Sequence, residues 1–239
     1  MDDRSARDEL SKRGGARDAI SERYEALAPD SITVSWTDFV ETVRSEDPTI
    51  EYIAAIQRAL DQLDQRVREA DLYISKSAEW ETRIQQELIA EYAFAIPTRK
   101  AISYLVDHEP LVELGAWNGY WAYEVDRSDG DITAYDIDPV RDSWYPVERA
   151  DQDVLLTYGQ SETLFLCWPP AGGMAYESLL LHDGDVIYVG EFPGDGFKAF
   201  GDMRFFDVLE ARYEQVTRLS LPSHPGAKDE LYHFRLTVT

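Results

Sequence analysis

Hydrophobic positions follow two different spacings along this chain of 239 residues. Between residues 53 and 74 apolar side chains recur three or four positions apart, which is the spacing of a long amphipathic helix. This seam consists of Ile53, Ile56, Leu60, Leu63, Val67, Ala70 and Ile74. A second helical stretch is predicted from about residue 77 to 94, which indicates a helical hairpin. The seam suits a coiled-coil homodimer, or a helix that lies on its own domain, and the pattern leaves both open.

After Pro97 the spacing changes to short apolar runs bounded by loop residues, which are typical of buried parallel strands. The runs cover residues 111–114, 132–135, 163–167 and 186–189. Helical segments are predicted at 119–125, 174–181 and 202–213, and a short helix capped by Thr98 precedes the first run. The segments 214–221 and 231–238 predict a final antiparallel pair. The predicted fold class is α/β, a doubly wound, mostly parallel sheet that ends in an antiparallel hairpin.

The chain divides by composition into three regions. Residues 1–30 are rich in charged and small residues and contain Gly14-Gly15, which predicts a mobile acidic tail. Residues 31–97 form a predicted helical arm or hairpin, and residues 98–239 form the α/β domain.

The charge is strongly acidic, with 46 acidic and 23 basic side chains and a formal net charge of -23. Arginine outnumbers lysine by 18 to 5, and the acids are spread along the whole chain. This pattern favours a surface adapted to molar salt, as in a halophile or its virus, over a surface for cations or a basic partner. Nucleic-acid binding is disfavoured, because phosphate contacts need clusters of basic residues.

The reactive and apolar residues add few constraints. Cys167 is the single cysteine, so an intramolecular disulfide is ruled out. The four histidines lack the spacing of metal ligands, and no run of 18 apolar residues occurs. The expectation is a soluble cytoplasmic protein with no bound metal and no membrane partner.

Candidate chemistry lies where the predicted strands end, because ligands of open parallel sheets bind outside the carboxyl ends of the strands. Four groups follow predicted strands: Glu113 to Tyr120, Asp136 to Asp138, Cys167 to Pro170, and Gly190-Glu191. Gly115 and Gly119 let the backbone pass close to a ligand, and Asp136 is placed to accept hydrogen bonds from ribose hydroxyls. These residues together predict a cofactor that carries a nucleoside. The dinucleotide fingerprint G-x-G-x-x-G is missing, which ranks a nucleotide-binding oxidoreductase last.

Five ordered motifs carry a resemblance to a known family. They are Tyr92-Ala93-Phe94-Ala95-Ile96-Pro97, Val112-Glu113-Leu114-Gly115-Ala116-Trp117-Asn118-Gly119-Tyr120-Trp121-Ala122, Ala134-Tyr135-Asp136, Trp168-Pro169-Pro170 and Tyr188-Val189-Gly190-Glu191. From about residue 91 to 239 the chain resembles the class I S-adenosylmethionine-dependent methyltransferases, and within them a poorly characterised group with a Trp-Pro-Pro motif.

The resemblance implies a set of residues that bind the cofactor S-adenosylmethionine. The methionine end would be lined by Glu113, Gly115, Ala116, Asn118 and Gly119. Asp136 would hold the ribose and Ile137 would cover an adenine face, with a further edge contact from near Val147 or Glu148. Trp117 departs from the family pattern, since it replaces the central glycine of the turn. Its indole must either turn out of the site or occupy cofactor space.

Other residues are candidates for the acceptor side. Trp168 is predicted to stack on a planar substrate or to face the sulfonium, and Pro169 and Pro170 to contact substrate, with a rigid apolar corner as the alternative. Glu191, at a strand end, is the candidate for a substrate-contacting carboxylate or a general base. Tyr92 and the Ile96-Pro97 corner would form a lid over the substrate, and His224 is either near the opening or in a surface turn.

The function implied is methyl transfer to an unidentified acceptor, with small molecules and proteins ranked above nucleic acid. The alternative is a catalytically inactive protein that uses the same fold as an assembly or binding module. Trp117 favours that alternative, whereas Glu113, Gly115, Gly119 and Asp136 favour the enzyme.

Overall fold

The structure is a computed structural model that describes residues 34–70, 74–193 and 202–237. For residues 66–70 and 74–80 the description is limited to the backbone. The predicted mobile tail, residues 1–30, lies outside these ranges. The helices are α1 (Trp36–Ser45), α2 (Glu51–Ala70), α3 (Ile74–Glu91), α4 (Arg99–Val106), α5 (Tyr120–Asp126), α6 (Met174–Leu181) and α7 (Met203–Arg212). The strands are β1 (Leu111–Leu114), β2 (Ile132–Asp136), β3 (Val147–Arg149), β4 (Thr163–Cys167), β5 (Val186–Gly190), β6 (Tyr213–Ser220) and β7 (Glu230–Leu236). A 3₁₀ helix spans Gln152–Thr157.

The seven strands form one sheet in the order β3-β2-β1-β4-β5-β7-β6. Neighbouring strands from β3 through β5 are parallel, whereas β7 runs antiparallel to both β5 and β6. The strand order reverses between β1 and β4, because the chain builds outward from β1 to β3 and then returns to the other side of β1. The predicted fold class, a doubly wound sheet closed by an antiparallel hairpin, is confirmed.

Alternate side chains of the central strands point into two hydrophobic cores. Leu164 and Leu166 of β4 pack on the side of α6 and α7, while Phe165 packs on the side of α4 and α5. Strand β5 repeats the alternation with Val186 and Ile187. Both faces are therefore buried, which explains why the parallel strands read as continuous apolar runs.

Helices α1 to α3 cover one of these faces and do not stand apart from the sheet. The core on this side joins Phe39 of α1 and Ile53 of α2 with Phe165 of the sheet. The Tyr52 N–H donates to Tyr120 Oη at 2.9 Å, which ties α2 to α5. The predicted boundary at residue 97 therefore separates two segments that share one core.

The apolar seam is used within the chain. Ile53, Ile56, Leu60 and Leu63 are all buried against the protein itself, so the helix lies on its own domain and these four side chains leave no exposed stripe for a homodimer. The side chains of Val67, Ala70 and Ile74 lie outside the described residues. Ile74 belongs to α3 in the described structure, and the other six residues of the seam belong to α2.

Among the described helices, none combines the length and apolar character needed to cross a bilayer.

Candidate functional site

A cavity of about 360 Å³ lies where β1, β2 and β4 reach their carboxyl ends. It sits at the reversal of strand order between β1 and β4, where ligands bind in doubly wound sheets. The residues predicted from sequence that line it are Glu113, Gly115, Ala116, Asn118, Asp136, Ile137, Trp168 and Pro170. Three separate strand ends thus bring predicted residues to one site.

The turn between β1 and α5 is built on left-handed backbone conformations. The φ angle is +73° at Gly115, +50° at Trp117 and +72° at Gly119. A Cβ atom on Gly119 would lie 2.9 Å from Val147 Cγ2, so a side chain there would force a displacement as well as a strained φ. The Gly115 N–H donates to the Tyr135 carbonyl oxygen at 2.9 Å, which anchors the turn on β2. Gly119 supports the site as the N-cap of α5 and does not line the cavity.

Asp136 connects this turn to the end of β2. Its Oδ2 accepts the Trp117 N–H at 2.9 Å, and its Oδ1 accepts the Asp138 N–H at 2.8 Å. Each carboxylate oxygen has two acceptor positions, so both can accept a further bond from a ligand hydroxyl. The side chain is half-buried and faces the cavity.

Glu113 is a buried carboxyl group with an incomplete set of hydrogen bonds. It is 2% exposed, and its Oε2 has no hydrogen-bond partner in the described protein. Burial, with a smaller contribution from the charge of Asp136, raises the pKa of Glu113 to about 8. The group is therefore mainly protonated at neutral pH. A cationic group placed beside it would favour the carboxylate form.

Asn118 borders the cavity, but its amide group is occupied by structural contacts. Its Nδ2 donates to the Glu91 carbonyl oxygen at 3.0 Å, and its Oδ1 accepts the Tyr120 N–H at 3.2 Å. The side chain thereby joins the end of α3 to the start of α5. Asn118 thus lies in the cavity lining with its amide held by two contacts within the protein, and its place at the methionine end of the cofactor stays a prediction.

The rim beyond β2 differs from the prediction. Ile137 lines the cavity and is 69% exposed, as an apolar surface for a ligand would be. The cavity is lined by Ala150, Asp151 and Gln152, and not by Val147 or Glu148, which belong to β3. The sequence feature that could have indicated this part of the rim is Asp151. It is the N-cap of the 3₁₀ helix Gln152–Thr157, and its side chain accepts the Asp153 N–H.

Three half-buried aromatic side chains line the cavity: Phe94, Trp117 and Trp168, referred to below as the aromatic wall. The Phe94 ring centroid lies 5.6 Å from that of Trp117 and 6.3 Å from that of Trp168. Trp117 therefore faces the cavity and leaves it open. Phe94 was overlooked in the sequence, although it lies two residues after Tyr92.

Glu191 is placed differently from the sequence-based expectation. It is buried, it does not line the cavity, and its Oε1 accepts the Lys228 N–H at 2.9 Å. Burial raises the pKa of its carboxyl group. Glu191 thus fixes the segment before β7, and the general-base assignment is revised to a structural one.

Three other predicted residues also lie away from the cavity lining. Tyr92 is buried, stacked at 4.8 Å on Tyr52 and at 5.4 Å on Trp144. Pro169 is buried beside the exposed Pro170. His224 is 3% exposed, in contact with Tyr52 Oη at 2.8 Å, and burial lowers the pKa of its imidazole to about 3. Tyr92 and His224 are therefore core residues, and the expectations of a lid at Tyr92 and of a surface histidine are corrected.

Within the described ranges, no group of three or more His, Cys, Asp or Glu side chains is arranged to hold a metal ion.

No protein-family model and no curated protein sequence matches this chain. Solved structures share part of its fold. TrmN from Thermus thermophilus is 16% identical over 58% of this chain and 48% of its own, with a TM-score of 0.42. This chain therefore covers about half the length of TrmN.

Two other similar structures were solved with S-adenosylhomocysteine bound. Magnesium protoporphyrin IX methyltransferase (ChlM) from Synechocystis PCC 6803 is 13% identical over 57% of this chain and 80% of its own, with a TM-score of 0.41. The N-methyltransferase NodS from Bradyrhizobium japonicum WM9 is 12% identical over 59% of this chain and 87% of its own, with a TM-score of 0.40.

Proposed function

We propose that this chain is an S-adenosylmethionine-dependent methyltransferase. The observation that carries the proposal is the convergence of Glu113, the Gly115–Gly119 turn and Asp136 on one cavity at the reversal of strand order. These groups come from two adjacent strand ends. Their positions agree with the roles that the sequence resemblance implies for them.

The residues present fit this cofactor. The partnerless Glu113 Oε2 suits the ammonium group of its methionine end, because a cation supplies both a donor and a compensating charge. Asp136 retains acceptor capacity for ribose hydroxyls, and the exposed Ile137 offers an apolar face for adenine. Asp151 and Gln152 are the candidates for the adenine edge, in place of Val147 and Glu148.

When bound, the cofactor would supply a methyl group on a sulfonium: an acceptor oxygen or nitrogen would form a bond to the methyl carbon, the carbon–sulfur bond would break onto sulfur, and the acceptor proton would pass to solvent. The protein's contribution is alignment and exclusion of water. The three residues of the aromatic wall, Phe94, Trp117 and Trp168, serve both alignment and exclusion of water. With Glu191 held in the core, no residue is assigned as a general base.

The acceptor is proposed to be a small molecule or a protein side chain. In the part of the chain that the structure describes, the cavity lining contains no lysine, arginine or histidine, and the chain carries a net charge of -23. Both features disfavour a polyanionic acceptor. The inactive alternative loses its main support, because Trp117 borders the cavity without filling it.

The decisive experiment is calorimetric titration of the full chain with S-adenosylmethionine and S-adenosylhomocysteine in molar KCl, with thermal unfolding alongside. Ligand at 100 times its Kd should stabilise the folded state by about 2.7 kcal/mol. Asp136→Asn should weaken binding of both ligands, while Glu148→Gln, on an exposed side chain away from the cavity, should not. A folded wild-type protein that binds neither ligand would overturn the proposal.

We further propose that the acidic surface is an adaptation to molar salt, as in a halophile or its virus. The support is compositional. Arginine outnumbers lysine by 18 to 5, and acidic side chains, aspartates among them, are spread along the whole chain. A cytoplasmic location is proposed because the activity would draw on a metabolite of the cell interior.

A further inference from the structure

The aromatic wall restricts the acceptor class. Resting on the methyltransferase function proposed above, we propose that the acceptor is an uncharged planar aromatic molecule, bound against Phe94, Trp117 and Trp168, whose ring carries the oxygen or nitrogen that is methylated. The transfer follows the balance already given, with the acceptor proton released from that oxygen or nitrogen. The product is the corresponding aromatic methyl ether or methylamine.

The three rings come from separate parts of the chain and meet at one cavity. Phe94 follows α3, Trp117 lies in the turn after β1, and Trp168 follows β4. Their planes are inclined by 37° and 32° at centroid distances of 5.6 and 6.3 Å. These distances lie in the range where aromatic rings attract one another, and a ligand ring in the cavity would be within reach of the same attraction.

The backbone conformation of both tryptophans indicates that this arrangement is imposed. Three non-glycine residues in the described ranges have a positive φ: Trp117 at +50°, Trp168 at +47° and Asp129. For a bulky side chain such a value is a rare and strained conformation. Strain of this kind persists where the surrounding structure enforces it, and it concentrates at ligand sites.

Trp168 is held in this position by both ends of the residue. Its backbone N–H donates to the Val189 carbonyl oxygen at 2.8 Å, and its indole Nε1 donates to Asp229 Oδ1 at 2.6 Å. Asp229 is itself 1% exposed. A fixed indole loses little conformational entropy when a ligand binds.

Charge argues against other acceptor classes. Among the described residues, the lining has no basic side chain to recognise a phosphate or carboxylate. A cationic acceptor would be repelled by the positive sulfonium beside it, and Glu113 is already assigned to the cofactor ammonium. A neutral ring meets none of these obstacles.

The test compares ligand shapes on the full chain in molar KCl, with and without saturating S-adenosylhomocysteine. The probes are 2-naphthol, its saturated counterpart decahydro-2-naphthol, and cyclohexyltrimethylammonium, with affinity measured by calorimetry. We expect 2-naphthol to bind at least about tenfold more tightly than the saturated alcohol, since each aromatic contact contributes about 0.5 to 1.5 kcal/mol beyond buried area. Equal affinity, or tighter binding of the ammonium probe, would overturn the inference.

Variants locate the effect. Phe94→Leu and Trp168→Leu should each reduce the affinity for 2-naphthol about threefold to tenfold while leaving that for decahydro-2-naphthol nearly unchanged. Trp36→Leu is the matched control, because Trp36 packs on Phe39 away from this cavity. Its affinity for 2-naphthol should equal that of the wild type, and a loss as large as in Phe94→Leu would count against the site.

The design separates the two proposals. If S-adenosylhomocysteine binds and 2-naphthol shows no preference over the saturated alcohol, the acceptor class is wrong and the methyltransferase proposal stands. If S-adenosylhomocysteine does not bind a folded protein, the methyltransferase proposal fails and takes the acceptor assignment with it. The shape preference measured without S-adenosylhomocysteine then reports on the aromatic wall alone.

Discussion

Neutralising Glu113 should change how stability depends on pH. The pKa of this carboxyl rises from its ordinary value of 4.5 to about 8 in the folded protein, chiefly because the group is buried. Between these values the folded state retains a proton that the unfolded state has released. The folded state thus binds more protons, and the free energy of unfolding falls as pH rises through this window.

The magnitude follows from the two pKa values. Each pH unit inside the window corresponds to about 1.4 kcal/mol, so Glu113 lowers the free energy of unfolding by about 4 kcal/mol at pH 8 relative to pH 4. Glu113→Gln keeps the shape of the side chain and removes the titration. The difference in stability, variant minus wild type, should therefore increase with pH across the window and level off above pH 8.

The assay is urea unfolding of both proteins from pH 5 to 8.5 at constant KCl, with the linear extrapolation applied at each pH. Glu148→Gln, on an exposed side chain, controls for the loss of one negative charge from a highly acidic chain. A difference between Glu113→Gln and wild type that stays constant from pH 5 to 8 would refute the reasoning. It would mean that the folded protein holds Glu113 as a solvated or compensated carboxylate.

Three further predictions follow from described contacts. Binding of S-adenosylhomocysteine at pH 7 should release up to about one proton, because its ammonium group favours the ionised form of Glu113. Calorimetry in buffers of different ionisation enthalpy measures this release, and its absence would contradict the pairing of the ammonium group with Glu113. Leu60→Asp should lower the free energy of unfolding by at least about 3 kcal/mol, because it places a carboxylate in the core, and an unchanged urea midpoint would refute this. Asp229→Ala should weaken 2-naphthol binding, whereas Asp229→Asn, which keeps a carbonyl acceptor for the Trp168 indole, should bind 2-naphthol nearly as tightly as the wild type. Equal affinities of the two variants would exclude a positioning role for Asp229.

The strands were predictable because their hydrophobic runs are short and end at loop residues. The predicted runs 111–114 and 163–167 coincide with β1 and β4. Strand β3 was missed, since Val147–Arg149 has only one apolar residue and is mostly exposed at the sheet edge. Helix α1 was also missed, although Ser35 and Asp38 form a capping box at its start.

The candidate site was predictable as far as strand ends fix positions. Glu113 lies one residue before the end of β1 and Asp136 ends the neighbouring strand β2, so their proximity follows from the topology. The direction of a side chain does not follow in the same way. Glu191 also comes directly after a strand, yet it faces Lys228, and Tyr92 packs on Tyr52 while Phe94 faces the cavity. Periodicity likewise identified the seam of α2 without revealing what covers it.

The contact between Tyr52 Oη and His224 Nε2 joins residues 172 positions apart, across almost the whole described chain. Contacts of this length slow folding, because a long stretch of chain must be brought together before the contact stabilises anything. During synthesis α2 would leave the ribosome long before its partner at His224. Helices α1 and α3, which contact α2, are made early, so the part of α2 that waits is the side around Tyr52 that meets His224 and the sheet. That side would be open to other chains until the last strands are made.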